Sequence, residues 1–155
     1  MNHPQDEHDL NPPVLALDLG QKTVGVAISD ELSITIKRLD PIRRTSWKDL
    51  LKNVSALVER FDAQTLVIGL PLSLDGTRGP AAESAHQLAA NFARSLKIPV
   101  YLQDERLTSE EARTSLREHG YKQTEVEALI DSESAAIILR DFLNSREERL
   151  LVRPD

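Results

Sequence analysis

Three carboxylates in this sequence stand where groups of that type can do chemistry. Asp18 lies inside the apolar run Leu15-Ala-Leu-Asp-Leu19. Glu105, with Asp104 before it, follows the apolar run from Pro99 to Gln103. Asp131 precedes Ala135, Ile138 and Phe142 at the spacing of one helix face. An ionised group in a buried strand costs several kcal/mol unless a metal, a cation or solvent at the strand end compensates it. Clustered carboxylates also raise one another's pKa values. Magnesium or manganese relieves that cost, because both prefer oxygen ligands. Two such ions about 4 Å apart can activate a water and stabilise the leaving oxygen in phosphodiester cleavage. In this scheme Asp18 bridges both ions, and Glu105 and Asp131 each hold one. Lys22 is a candidate phosphate contact or a group that tunes the nucleophile. Arg78 and Arg106 are candidates to touch the substrate backbone. Asp104 is read as orienting a neighbour.

Each of these residues has a purely structural alternative. Asp18 can be a turn-forming aspartate with a satisfied hydrogen bond. Glu105 can pair with Arg106 or another arginine. Asp131 can be a helix N-cap, the commonest role for aspartate before a helix. His3, His8, His86 and His119 show no ligand spacing, and no Ser-His-Asp arrangement is visible.

The elements that must position these groups follow from the apolar pattern. Val14 to Leu19 and Val24 to Ser29 read as strands around a turn at Gly20 to Thr23. Leu32, Ile34 and Ile36 alternate with polar residues, which predicts a third, half-exposed strand. Short connections make these three an antiparallel meander. Ser46 is the expected N-cap of a helix with Trp47, Leu50, Leu51, Val54, Leu57, Val58 and Phe61 at helical spacing. Thr65 to Leu70 is a buried-type strand, and Asp75-Gly76 marks a turn in the loop after it. Pro80 fits the first position of a second helix. Pro99 to Gln103 is a fifth strand. Thr108 and Glu111 form a capping-box pattern for a third helix that Gly120 stops. Thr124 and Glu127 repeat that pattern weakly, and the last helix is expected to start near Asp131 and run to about Asn144. The expected fold is α/β: a mixed five-stranded sheet, three antiparallel strands then parallel crossovers, with helices on both faces. Asp18, Glu105 and Asp131 then fall at element ends that converge beside the first strand.

The 155 residues suit one domain, expected over 14–145 between a disordered tail at 1–13 and a charged tail at 146–155. Hydrophobic residues make up 40% and aromatic ones only 4%, so the core is aliphatic. The absence of cysteine excludes disulfides and thiolate metal sites and agrees with a reducing cytoplasm. No apolar run approaches the roughly 20 residues that span a bilayer, and the N-terminus lacks the parts of a signal peptide. The net charge of -6 argues against tight, non-specific binding along nucleic acid but not against a local basic surface. Lys37 to Lys48 holds five cations against one carboxylate, either such a surface or a solvated connector.

Four blocks together resemble the YqgF/RuvX family. They are Asp18-Leu-Gly-Gln-Lys-Thr-Val-Gly-Val-Ala, then Gly69-Leu-Pro-Leu with Asp75-Gly76, then Asp104-Glu-Arg-Leu-Thr with Glu111-Ala-Arg, and last Asp131-Ser with Ser134-Ala. Each block is weak alone; in this order, over nearly the whole of Val14 to Leu143, they are specific. The resemblance implies a ribonuclease-H-like fold and a divalent-metal nuclease with Asp18, Glu105 and Asp131 as its acidic residues. It implies a role in maturing the 5′ end of pre-16S ribosomal RNA, and some members are described as Holliday-junction resolvases. Thr23 stands where many members have arginine, which weakens a phosphate role there. The related RuvC resolvases place two aspartates three residues apart on the last helix. Ser134 occupies the second position here, so a fourth ligand, from Asp104 or Ser134, stays open.

The main expectation is a hydrolytic nuclease acting on a ribosomal RNA precursor or pre-ribosomal particle, as a monomer or homodimer without membrane contact. A DNA endonuclease that resolves branched junctions is the second reading. A non-catalytic ribosome-assembly factor is a third, which keeps the fold and uses the acidic residues structurally. Asp18-Leu-Gly20 also resembles the first phosphate loop of actin-like ATPases, but those enzymes bind nucleotide between two related domains and this chain has length for one.

Overall fold

The computed structural model describes residues 11–73, 75–105, 114–145 and 149–153, with 123–131 described by backbone alone. Val14–Leu19 (β1), Thr23–Ser29 (β2) and Ile36–Arg43 (β3) form the antiparallel meander. Trp47–Phe61 (α1) leads to Thr65–Leu70 (β4), and Pro80–Ser95 (α2) leads to Val100–Asp104 (β5). Gln123–Asn144 (α3) and Leu150–Val152 (β6) follow. The sheet order is β3-β2-β1-β4-β5-β6, with β1, β4 and β5 parallel and β6 antiparallel to β5.

Strand alternation divides the core into two layers. Leu15 and Leu17 point to the α1 and α2 face, where they meet Leu50, Val54, Ala89 and Phe92. Val14 and Ala16 point to the other face, where Ala135, Ile138, Leu139 and Phe142 of α3 cover them. All of these are nearly inaccessible to water. Burying a side chain of Val, Leu, Ile or Phe size contributes about 1.5–3 kcal/mol. The two layers therefore fix which way every residue of β1 points, including Asp18, which continues the α3 side.

Local signals act as expected at several ends. The Ser46 side chain accepts the Asp49 N–H at 3.1 Å and starts α1. Pro80 opens α2. Residues 114–118 are helical and Gly120, at φ +86, follows them; Thr108 and Glu111 lie outside the described residues.

Three expectations are corrected. The third strand runs from Ile36 to Arg43, not from Leu32. The Asp30 carboxylate accepts the Ile34 N–H at 2.7 Å and the Asp30 carbonyl accepts the Ser33 N–H at 3.1 Å, so a turn takes those residues and leaves Leu32 and Ile34 exposed. Seven of the twelve residues of the basic stretch, Lys37 to Arg43, thus belong to an edge strand. Pro41 is tolerated in it because Asp40 and Pro41 bulge opposite Gly25, on the outer strand. The sheet has six strands, since Leu150–Val152 pairs with β5. The last helix begins at Gln123, well before Asp131. No Gly or Pro interrupts 123–144, so nothing breaks the backbone at Asp131.

Candidate active site

Asp18 and Glu105 meet across β4. Asp18 is the fifth residue of β1, and Glu105 follows the last residue of β5. The Glu105 N–H donates to the Leu70 carbonyl at 3.1 Å, which extends the parallel pairing by one step and sets the side chain on the α3 face. Between them lies Gly69 of β4. A Cβ there would sit 2.5 Å from Glu105 Oε2 and 2.6 Å from Ile138 Cδ1. The missing side chain is the space in which the Glu105 carboxylate lies as it reaches back toward β1. Gly69 stands in one of the sequence blocks, but composition gives it no role; only the neighbouring strands do.

The electrostatics of the pair are unfavourable for two free carboxylates. Burial pushes the Glu105 carboxyl up to about 10, and the negative charge of Asp18, a side-chain hydrogen bond with Asp18, and the charge of Asp104 push the same way. Glu105 therefore holds a proton that it shares with Asp18. Among the described residues, the groups that act on it, Asp18 and Asp104, are carboxylates, and both bring negative charge. This donor set fits a hard divalent cation, whose charge would replace the proton.

The other expected residues fall at varied distances from this pair. Asp131 is in α3, two helical turns before the Ile138 that packs over Gly69, and its side chain lies outside the described ones. Its expected place as the residue that opens the helix is not what α3 shows. Among the described residues, no three His, Cys, Asp or Glu side chains gather as a metal site. Lys22 is exposed in the β1–β2 turn, beyond the end of β1. Arg78 ion-pairs with Glu83 in the first turn of α2 at 3.2 Å, and both are well exposed. Arg106 lies outside the described residues. Ser134 is buried in α3.

Several supporting residues escape a reading by motif. The Arg44 guanidinium donates to the Gly20 carbonyl at 2.9 Å, and the Arg44 N–H donates to the Lys22 carbonyl at 2.8 Å, which clamps the turn after Asp18. Glu133, buried in α3, ion-pairs with Arg38 of β3 and accepts the Ser115 hydroxyl at 3.0 Å. The Ser132 hydroxyl donates to the Leu39 carbonyl at 2.8 Å. Both residues follow Asp131, so they lock α3 to β3 next to it. Gln103, opposite Gly69 on β5, is buried with its Oε1 unpaired among the described residues. No sequence signal singles out these groups; Glu133, two residues after Asp131, lies off the helix face that Asp131 shares with Ala135, Ile138 and Phe142.

Residues 13–145 match the family described as RuvX, Holliday junction resolvase. A protein from an Anaeromyxobacter species is 37% identical over 132 residues, covering 85% of this chain and 96% of the relative. One from Geobacillus kaustophilus is 38% identical over 134 residues, covering 85% and 97%. Both carry the provisional name of pre-16S rRNA nuclease. The structure of Thermus thermophilus RuvC with a Holliday junction substrate aligns with a TM-score of 0.56 at 13% identity, over 90% of this chain and 99% of that one. The Fowlpox virus resolvase in complex with junction DNA aligns with a TM-score of 0.52 at 15% identity, over 88% and 100%. These two establish the ribonuclease-H-like resolvase fold for the chain. With a family match over residues 13–145, and relatives of this identity and coverage, the chain belongs to the RuvX family and is a nuclease.

Proposed function

We propose that this protein is a divalent-metal-dependent phosphodiesterase acting in the cytoplasm on the 5′ leader of pre-16S ribosomal RNA. The observation that carries the reading is the hydrogen-bonded Asp18–Glu105 pair, with the Glu105 carboxylate in the space left by Gly69, where a cation's charge would offset the repulsion. Asp18, Glu105 and Asp131 would hold magnesium or manganese, as two ions. When bound, the ions supply an activated water and charge stabilisation for the leaving oxygen. The chain's own part is positioning. Ala16 and Val14 beneath α3 fix the direction of Asp18. Gly69 gives Glu105 room to lie beside it. Arg44 holds the Gly20 turn, which keeps Lys22 at the mouth of the site for a substrate phosphate. Arg106 and Arg78 complete the substrate contacts, Arg78 after leaving Glu83.

The RNA substrate is taken from the names of the relatives. The description of the family favours one second reading, cleavage of a four-way DNA junction. Incubation of wild type and Asp18→Asn with a pre-16S leader RNA and magnesium or manganese tests the first. Cleavage by wild type alone is expected. Equal activity in the two proteins would sink the assigned site. Paired symmetric nicks in a DNA junction, with the leader RNA left intact, would transfer the assignment to the second reading.

A further inference from the structure

The basic stretch that follows the turn at Asp30 has a structural counterpart that the carboxylate site does not use. A groove of about 600 Å³ runs between the outer strand β3 and helix α1. A smaller groove of about 230 Å³ continues it, sharing Asp40, Leu57 and Arg60. Lys37 and Arg43 line the strand side, and Lys52 and Arg60 the helix side. All four are exposed, and among the described residues none of them is in an ion pair. Asp40 and Asp49 are the acidic groups of the lining, and Asp49 is engaged by the Thr45 hydroxyl at 2.9 Å. This is a concentration of positive charge outside any ion pair among the described residues, on a chain whose net charge is -6, with the Arg60 guanidinium over the Phe61 ring at 4.9 Å.

Three features narrow what such a groove takes. First, β3 is the outermost strand, yet its charged residues and its bulge at Asp40-Pro41 oppose the addition of another strand, so a peptide in β-pairing is disfavoured. Second, among the described residues the lining has no aromatic ring on which a base could stack, but Thr45 and Asn53 add hydrogen-bonding groups beside the cations. Such a lining contacts phosphates and sugars and does not read bases. Third, the groove ends at the active-site end of the sheet. Arg43 pairs with Thr23, and Arg44 next to it clamps the turn after Asp18. From Lys37 to Arg43 the strand covers about 20 Å at a rise of roughly 3.3 Å per residue, room for several nucleotides.

We infer that the β3–α1 groove binds the sugar-phosphate backbone of the RNA strand that flanks the scissile phosphate, without sequence preference. The inference rests on the nuclease reading for its direction. A strand held at Asp18 and Glu105 passes over the Gly20–Lys22 turn and descends between Arg43 and Lys52 toward Arg60 and Lys37. The acidic remainder of the surface repels other stretches of the same RNA, so the groove sets the path.

The test is RNA binding in EDTA, where no cleavage occurs, by the full chain and by the charge-reversal variant K52E/R60E. Both positions are exposed on α1, and circular dichroism verifies the fold. Fluorescence anisotropy is read with a pre-16S leader RNA and with a scrambled RNA of equal length, at several salt concentrations. The variant is expected to bind both RNAs about tenfold or more weakly. Its slope of log affinity against log salt is expected to fall by about 1.4, roughly 0.7 for each phosphate that the variant no longer neutralises on single-stranded RNA. The conservative pair K52R/R60K should keep both values. Equal affinity and slope in wild type and K52E/R60E overturn the groove, whatever the outcome of cleavage assays. Displacement of the RNA by polyglutamate at matched charge also overturns it, in favour of an acidic protein partner. If wild type fails to cleave with magnesium or manganese while K52E/R60E still loses RNA affinity, the nuclease reading fails and the groove stands.

Discussion

A carboxyl that titrates at about 10 beside a second carboxyl is strained electrostatically, and the strain has a measurable sign. In the unfolded chain the Glu105 carboxyl ionises near 4.5, whereas in the fold it keeps its proton to about 10. Its contribution to stability is whole below the lower value. Between the two values the unfolded chain releases a proton that the folded chain retains, so stability falls as pH rises. Thermal melts in EDTA from about pH 5 to pH 9 should therefore show a falling melting temperature, and Glu105→Gln should flatten the slope. A slope that Glu105→Gln leaves unchanged would mean another group is responsible. Gly69 makes a second prediction at this scale. Gly69→Ala places a Cβ against Glu105 Oε2 and Ile138 Cδ1, both the ends of side chains that can move. The cost in stability should be about 1 kcal/mol, at the mild end for overpacking. The cost in cleavage should be larger, about tenfold to a hundredfold, because the displaced group is the carboxylate itself. Urea denaturation and initial rates on the same preparation separate the two effects.

At the scale of elements, the molecule depends on how α3 is fastened. The helix lies across β1, β2 and β3, and its polar ties to β3 are Glu133 with Arg38 and Ser132 with the Leu39 carbonyl. Both ties lie within two residues of Asp131 on the helix. Arg38 is half exposed, but Glu133 is almost wholly buried, and removal of the arginine leaves that carboxylate with Ser115. Arg38→Ala should cost about 1–3 kcal/mol, less than a fully buried pair because solvent reaches the arginine. Arg43→Ala, at the far end of the same strand and exposed, should change stability by no more than about 0.5 kcal/mol. Equal losses in chemical denaturation would show that the Glu133 pair does not fasten the helix.

For the whole molecule, the proposed metal binding would be linked to folding. A cation that binds only the folded site stabilises it by mass action, about 2.7 kcal/mol at a hundredfold excess over the dissociation constant. Magnesium or manganese should thus raise the melting temperature of wild type at neutral pH. Asp18→Asn should lose most of that rise, and its metal-free form should melt higher than wild type, since the negative charge that helps hold Glu105 protonated is gone and folding then costs less proton uptake. Differential scanning calorimetry with and without EDTA measures both. A metal response of full size in Asp18→Asn would remove Asp18 from the ligand set. The acidic balance of the chain disfavours nucleic-acid contact over the surface at large, so the contacts proposed are those where cations gather locally, at the β3–α1 groove and the Lys22 turn.

Much of this was legible in the chain. The run Leu15 to Leu19 determined a buried strand with one carboxylate in it, because alternation fixes the face on which each residue points. The Ser46 cap, Pro80 and the apolar stripes determined α1 and α2, since their signals are local. The four blocks determined the family. Local signals failed where two local structures competed. At Asp30 to Ile36 the side-chain turn won over the alternating strand, and at 123–131 an unbroken helix won over a cap at Asp131. Only the tertiary structure decided that Leu150–Val152 closes the far edge of the sheet, because strand pairing depends on a partner distant in sequence. It alone decided that Glu105 occupies the space above Gly69 and shares its proton with Asp18. The sequence names the groups that can ionise, but their charge state is set by burial and by neighbours that only the folded sheet brings together.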